Sequence, residues 1–568
     1  MRLLDWIILV VTLVGIILYG VYKSRSSKNL DGYFLSNRSM PWYLVLLSIM
    51  GTQASAITFL AAPGQAYMDG MRFVQNYFGL PLAAIVICIS FVPVFSKLKV
   101  FTAYEFLEKR FDIKTRSLTA FLFLLQRGLS TGISIYAPSI ILSVLLDWNI
   151  YVTNLFMGGL LIIYTVTGGA RAVAYTQTFQ FIIIMSAMFL AGYYIIKDLP
   201  EGIGFSDALQ IGGKLGKMNV ITNGVDKGHF DWGDRYNIFS GIIGGFFLQL
   251  SYFGADQSQV GRYLTAKNLK ESRLGLLMNG IVKIPMQFFI LLIGVLILTF
   301  YQFNQTPVFF NEYEIHRLEQ SVHSDSLNHL RQQLQRIQQE KGSVLAQYQQ
   351  QPGPALQRLN TLQMRTDDIR KEVKGLVKVN GGSENDTNYV FLRFVMDHLP
   401  VGLVGLIIAI IFLASWGSIA AALNSLASST MIDFHKRFSR KESDDIKDFR
   451  TSRLYTFSWG VFCMAVAMFV SGWASSLIEV VNILGSLFYG TILGIFLVAF
   501  YSKSVKGNAI FWSALISEVF VVLLFFLNEY QVIRLGFLWL NAIGALLVWG
   551  ISLLLQWTGS LRGAGSAG

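Results

Sequence analysis

An apolar, membrane-length stretch from about 42 to 67 is interrupted at its centre by Gly51-Thr52-Gln53-Ala54-Ser55-Ala56-Ile57-Thr58, a run of small, hydroxyl and amide residues. Hydrocarbon offers no partner to a backbone N–H or C=O, so such a run is tolerated at bilayer depth where it lines a polar cavity. A second stretch, about 237 to 263, carries Gly241, Gly244, Gly245, Gln249, Ser251, Tyr252, Gly254, Asp256 and Gln257. Unwound helices of this kind present backbone carbonyls to a hard monovalent cation, and their half-helix ends can meet a charged solute. Two formal cations, Arg127 and Lys283, also fall well inside apolar stretches. Each costs about 3 kcal/mol or more there unless paired or hydrated, so both are expected to face the interior of a helical bundle.

The elements that position these residues follow from composition. Of 568 residues, 53% are hydrophobic and 14% charged, and the mean hydropathy is +0.50. A soluble chain of this length carries about 25% charged residues. The pattern predicts an all-α integral membrane protein of about 13 spans, each near the roughly 20 apolar residues a bilayer requires. They fall at about 4–22, 42–70, 73–96, 117–146, 149–167, 172–196, 236–261, 274–301, 396–433, 454–472, 476–501, 508–528 and 535–556. The first lacks a small-residue cleavage site and reads as a retained helix.

Basic residues cluster in alternate loops: Lys23 to Arg38, Lys97 to Arg116, Arg262 to Arg273, Lys436 to Arg453, and Lys503 with Lys506. By the positive-inside rule those loops are cytoplasmic, with the amino terminus outside and the carboxyl terminus inside. The net charge of +12 is largely this asymmetry. No basic groove with interleaved aromatics appears outside the spans, so the partner is the lipid bilayer and no nucleic acid is expected.

Cys88 and Cys463 sit in apolar runs without a partner at metal spacing, and no histidine falls near the middle of a span. No nucleophile, metal cluster or phosphate loop stands out, so an enzyme and a bound cofactor are not expected. Residues 302–393 depart from the membrane pattern: they are polar and Gln-rich, with Leu327, Leu330, Leu334, Ile337, Val344 and Leu345 at helical spacing. This reads as an extracytoplasmic helical hairpin turning at Gln351-Pro352-Gly353-Pro354, either an accessory insert or a docking element for an outer partner.

Gly168-Gly169-Ala170-Arg171-Ala172-Val173-Ala174-Tyr175-Thr176-Gln177-Thr178-Phe179-Gln180 is similar to the signature of the sodium/solute symporter family, which has two glycines, Ala-Val, Thr-Asp and a later Gln. Asp256-Gln257 through Arg262, Lys283-Ile284-Pro285, Leu423-Asn424-Ser425 and Gly485-Ser486 extend the resemblance over nearly all the chain except the insert. The family includes sodium/sugar, proline, sialic acid and iodide transporters. The resemblance implies a leucine-transporter-type core of two inverted five-helix repeats, with the first and sixth core helices broken. Residues 1–41 are then an extra helix and cytoplasmic loop, 42–197 core helices 1–5, 198–235 an outer loop and 236–301 core helices 6 and 7. The insert is 302–393, core helices 8–10 are 394–501, and 502–568 are two further helices and a tail.

The same resemblance implies a central sodium site at Gly51 and Ala54 on the first broken helix and at Ala414, Gly417 and Ser418 on the eighth. Family members usually have hydroxyls at the last two positions, and Gly417 has none. Relatives that bind a second sodium use an acidic residue and two serines where this chain has Gln177, Ala420 and Ala421. One sodium per cycle is therefore expected, with Gln177 donating an amide hydrogen bond to the neighbouring helix. The implied solute pocket takes Gln53, Ser55, Ile57 and Thr58 from the first broken helix, Gln249 and Tyr252 from the sixth, Lys283 from the seventh, and Asn482, Ser486 and Tyr489 from the tenth. Sugar-transporting relatives carry Glu-Gln where Ile57-Thr58 stand. Tyr252 resembles their aromatic inner gate. Arg127 matches an arginine that clamps the carboxylate in sialic acid transporters, the competing role being a structural partner, and Lys283 is read as structural, near the broken sixth helix.

The resulting expectation is a sodium-coupled symporter that imports a small organic solute, of sugar, sialic acid or carboxylate type, by alternating access. It would be multi-pass in a plasma membrane, in bacteria the inner membrane. The alternatives are a proton-coupled or uncoupled transporter of the same fold, or a membrane solute sensor.

Overall fold

The structure is a computed structural model that describes residues 1–24, 30–146, 148–346, 348, 352–439, 445–469 and 476–565. Helices dominate because they satisfy every backbone group within one segment, which lipid demands. Among the described residues the single sheet is a short hairpin, Val225–Asp226 against His229–Phe230.

Helix α1 (Leu3–Ser24) leads to α2 (Trp42–Gln53) and α3 (Ala56–Asp69), which meet at a bend of 60°. Ala54 and Ser55 leave helical geometry at the bend, Ser55 in extended conformation. Next come α4 (Met71–Leu98), α5 (Ile113–Leu146) and α6 (Ile150–Lys197). The sixth expected core helix opens in one wide turn at Ser240–Gly244, continues as α7 (Gly245–Gly254), and breaks at Ala255 and Asp256 before α8 (Gln257–Tyr263). Both expected breaks are therefore present. Helix α9 (Leu269–Phe303) precedes the insert, and the chain returns as α12 (Leu403–Ser429), α13 (Asp445–Phe469), α14 (Leu477–Tyr501), α15 (Gly507–Glu529) and α16 (Leu538–Gly565).

Among the described residues, 8 helices are individually long and apolar enough to cross a bilayer, and the bent α2–α3 pair brings the number to 9. The difference from about 13 expected spans has local causes. The apolar stretches Leu3–Ile16 and Ile150–Val166 are shorter than the spans among the described residues. Helices α7 and α8 are each too short alone, and α13 begins with a charged segment and reaches the last described residue of its region at Phe469.

Spans expected at 149–167 and 172–196 run on as the single helical stretch α6. That stretch is not straight. The Tyr164 and Thr176 side-chain oxygens lie 3.3 Å apart, whereas twelve residues of straight helix rise about 18 Å.

Helix α12 is buried along nearly its whole length and packs against α1, α2, α5, α6 and α13. Close approach depends on small residues, as is usual where helices associate in lipid. A Cβ on Gly294 of α9 would stand 2.0 Å from the Pro63 carbonyl oxygen of α3.

The insert pairs α10 (Ser324–Ala346) with α11 (Pro352–Val379), burying Leu327, Leu330 and Leu334 of one helix and Leu356, Leu359 and Leu362 of the other. The expected turn at 351–354 is corrected. Pro352, Gly353 and Pro354 open α11, because proline suits a first helical turn; Gln351 lies outside the described residues. The chain then packs against the C-terminal half of α3. A Cβ on Gly64 would stand 1.9 Å from the Thr387 carbonyl oxygen, and Asp386 pairs with Arg370 at 2.5 Å and Lys374 at 3.1 Å. Burial works to raise the Asp386 pKa, and these two cations overcome it and hold the carboxyl below its ordinary value.

Candidate functional site

The break between α2 and α3 redirects backbone hydrogen bonds. In an unbroken helix the Ser55 N–H would go to the Gly51 carbonyl and the Thr58 N–H to that of Ala54. Here Ser55 N–H donates to Gln53 O at 2.9 Å and Thr58 N–H to Ser55 O at 3.0 Å. The carbonyls of Gly51 and Ala54 thus lose their helical donors, which is the chemistry a bare monovalent cation needs. The break itself is braced by side chains: Thr58 Oγ1 donates to Gln53 O at 3.0 Å, and Gln53 Nε2 to Asn279 Oδ1 at 3.0 Å.

Around this break lies a cavity of about 140 Å³. Gln53, Ser55, Ile57 and Thr58 line it from the break, Arg127 from α5, Gln249 and Tyr252 from α7, Lys283 from α9, and Asn482 and Tyr489 from α14. Ser486 is the exception and is corrected. Asn482, Gly485 and Tyr489 take the cavity face of α14, while Ser486 turns toward α16 and accepts from Asn541 Nδ2 at 2.8 Å.

Of the expected sodium ligands, Ser418 also lines the cavity, and its hydroxyl donates to Ser415 O at 3.0 Å. Ala414 and Gly417 are buried on the same helix. Gln177 from α6 fills the seam between α2 and α12. Its Nε2 donates to Gly417 O at 3.1 Å and to Thr52 Oγ1 at 3.3 Å, and its Oε1 accepts from Ser48 Oγ at 3.2 Å. A Cβ on Gly51 would stand 2.8 Å from the Gln177 Cβ, so glycine is what lets the amide reach across. Ala420 and Ala421 form a small buried apolar group against Tyr164. Gln180 is buried beside Gly417. Gly168 and Gly169 lie within α6, and their surroundings fall outside the described residues.

The two cations have different fates. Arg127 pairs with the fully buried Asp256 at 2.7 Å, and its guanidinium also reaches the Ser258 hydroxyl. Tyr489 donates to the same Asp256 carboxylate at 2.7 Å, and the Arg127 guanidinium lies 5.5 Å from the centre of the Tyr252 ring. Arg127 therefore has a structural counter-ion at the broken sixth helix. Lys283 has no charged partner among the described residues; its Nζ lies 5.2 Å from the centre of the Tyr77 ring.

Sequence reasoning did not pair Asp256 with Arg127, because 129 positions separate them. It also passed over Asn76 and Tyr77, which line the cavity. The signal was a polar pair inside an apolar span. The amino-terminal end of α3 opens onto the cavity at Ser55, which makes no side-chain cap bond. Its N–H groups and helix dipole favour a negative group there.

A sequence profile of the sodium:solute symporter family matches residues 33–319 and 370–517. The sodium/sialic acid symporter of Aliivibrio fischeri is 24% identical over 513 residues, 89% of this chain and 84% of that protein. The human sodium-coupled monocarboxylate transporter 1 is 30% identical over 264 residues, 46% of this chain and 42% of that protein. A solved structure of a Na+-coupled sialic acid symporter, outward-open with substrate, superposes with a TM-score of 0.74 at 22% identity, covering 98% of both chains. That likeness is one of fold.

Proposed function

The chain belongs to the sodium:solute symporter family, and from that premise we propose that it imports a small organic monoanion together with one sodium ion. The observation that carries the solute class is Lys283, a buried lysine at the cavity wall with no charged partner among the described residues. Arg127 and Asp256 cancel one another, so the cavity keeps one net positive charge when Lys283 is protonated. A carboxylate arriving between Lys283 and the N-terminal end of α3 supplies the missing counter-charge. The volume of about 140 Å³ is below the roughly 300–1,000 Å³ of sites for drug-sized ligands. It favours a short monocarboxylate over a nine-carbon sugar acid.

Sodium binds at the Gly51 and Ala54 carbonyls against α12 and favours the outward state; solute binds, and one bundle rocks against the other. Sodium can drive this only through a difference in affinity between the two states. The apolar seam at Ala420 and Ala421, with Gln177 in place of an acid, supports a single ion. The topology we propose has the amino terminus outside and the basic loops in the cytoplasm.

Uptake into proteoliposomes of labelled short monocarboxylates, sialic acid and glucose, with and without an inward sodium gradient, tests the reading. Sodium-driven accumulation of a monocarboxylate that fails in Lys283→Met is the expected result. Sodium-driven glucose uptake overturns the solute class, and equal uptake without sodium overturns the coupling.

A further inference from the structure

A second cavity, of about 220 Å³, lies between α11 of the insert and the C-terminal end of α3. Its wall carries Lys217, from the segment after α6, and Arg370, Lys371 and Lys374 of α11. Buried Tyr67 and Leu298, with half-buried Met68, give it an apolar floor. It is separate from the solute cavity, because Tyr67 stands beyond Thr58 by about 14 Å along α3. The acids nearby do not balance the cations. Asp386, behind the wall, offsets one of the Arg370 and Lys374 charges. Asp367 is in the wall, yet it is exposed, and its Oδ1 accepts from Gln363 Nε2 at 2.8 Å, the amide whose oxygen takes Lys341 Nζ. Asp69 is paired with Arg72 at 2.8 Å. Lys217 and Lys371 form no ion pair among the described residues.

Lys217 is also fixed in place. Its Nζ donates to Met68 O, its carbonyl accepts from Met71 N–H at 2.9 Å, and a Cβ on Gly70 would stand 2.8 Å from that carbonyl oxygen. Burial pushes its pKa below the ordinary lysine value, and the opposing pull of Asp367 and Asp69 does not restore it. An ammonium group has three donors, so a half-buried one that spends a single donor on a carbonyl and has no counter-ion is completed by an anion. The Arg370 guanidinium beside it is held by Asp386 and by Pro307 O at 3.1 Å, so that part of the wall is rigid as well. We propose that this cavity binds a small carboxylate, its head on Lys217 and Lys371 and its alkyl part on Tyr67, Met68 and Leu298. The volume admits a short chain and no drug-sized ligand. An inorganic anion would use the cations alone and leave the apolar floor bare. Occupancy ties the insert to the end of α3, the helix whose other end opens on the solute cavity.

Binding is read as thermal stabilisation of the purified full-length protein in sodium-free buffer at neutral pH, titrated with potassium propionate, potassium chloride or potassium phosphate. The protein carries Lys283→Met, which takes the unpaired cation out of the solute cavity and keeps this test independent of the solute reading. Propionate is expected to give a saturable stabilisation beyond that of chloride and phosphate. Lys217→Met should weaken propionate by at least about tenfold. Lys371→Glu, at an exposed position where folding tolerates a charge, should weaken it comparably by setting a like charge at the carboxylate head, so the test holds even if Lys217→Met is unstable. No saturable stabilisation by propionate, or an unchanged curve in Lys371→Glu, overturns the proposal. Equal stabilisation by chloride or phosphate overturns the assignment of a carboxylate. Stabilisation of the parent protein that vanishes in Lys283→Met places propionate in the solute cavity, which overturns this proposal and leaves the solute reading intact.

Discussion

The Gln177 side-chain amide donates to the Gly417 carbonyl at 3.1 Å, tying α6 to α12 across the broken first core helix. The same nitrogen reaches Thr52 on α2, so one neutral side chain joins three helices. Removing it in Gln177→Leu leaves buried acceptors short of a donor and should cost about 1–3 kcal/mol. The loss is expected as a lower Tm in sodium-free detergent solution; an unchanged Tm would mean that the seam holds without the amide.

Lys283→Met should reduce uptake of the monoanion by at least about a hundredfold, because a charge-assisted contact of roughly 3 kcal/mol is lost from the cavity. Lys283→Arg keeps the charge but changes its geometry and should retain part of the activity. Folding is checked by the Tm, which is expected to hold or rise in Lys283→Met, since a buried cation without a charged partner has gone. Full uptake by Lys283→Met would remove the basis for an anionic solute.

One sodium moved with one monoanion carries no net charge. Uptake should then be insensitive to a potassium diffusion potential set with valinomycin, although a neutral solute would gain about 2.3 kcal/mol per 100 mV. Acceleration by an inside-negative potential would require a second cation or a neutral solute.

Breaking the buried Arg127–Asp256 pair from one side is expected to be worse than removing it whole. Asp256→Asn leaves Arg127 without its counter-ion and should cost about 3–5 kcal/mol, whereas Arg127→Met/Asp256→Asn should fall well short of the sum of the single losses. A double-mutant cycle on thermal stability measures the coupling. Additive losses would show that the two charges do not sense one another.

Lys341 lies buried between the insert helices, where Nζ donates to Gln363 Oε1 at 2.7 Å. Burial pushes its pKa down to about 7, against the opposing pull of Asp367. The unfolded chain keeps an ordinary lysine near 10.4, so between about pH 7 and 10 it binds more protons than the folded state, and stability rises with pH across that window. Lys341→Met should therefore stabilise the insert most at pH 6 and progressively less toward pH 10. A Tm difference independent of pH would contradict the buried, titrating lysine.

The bilayer makes much of this protein legible from composition and order alone. Hydrocarbon forbids unpaired backbone, so the polar residues at 51–58 and the glycines and polar residues of 237–263 announced the two breaks, while the proposed cavity residues on the other helices came from the family resemblance. The helical spacing of leucines in 302–393 likewise announced the insert hairpin. What one dimension cannot hold is the partner of a charge. Whether Arg127 faces a solute or a protein carboxylate depends on the rotation of α5 relative to the capping residue of α8, and only packing sets that angle. Ser486 misses the cavity for the same reason: four residues past Asn482 on α14, it turns toward α16. The two apolar runs of α6 were legible in the sequence, yet their joining in one helical stretch was not. Tertiary structure also decided the occupant of the space that Gly417 leaves. A missing side chain says only that room exists; which neighbour enters it is settled by the approach of α6 to α12.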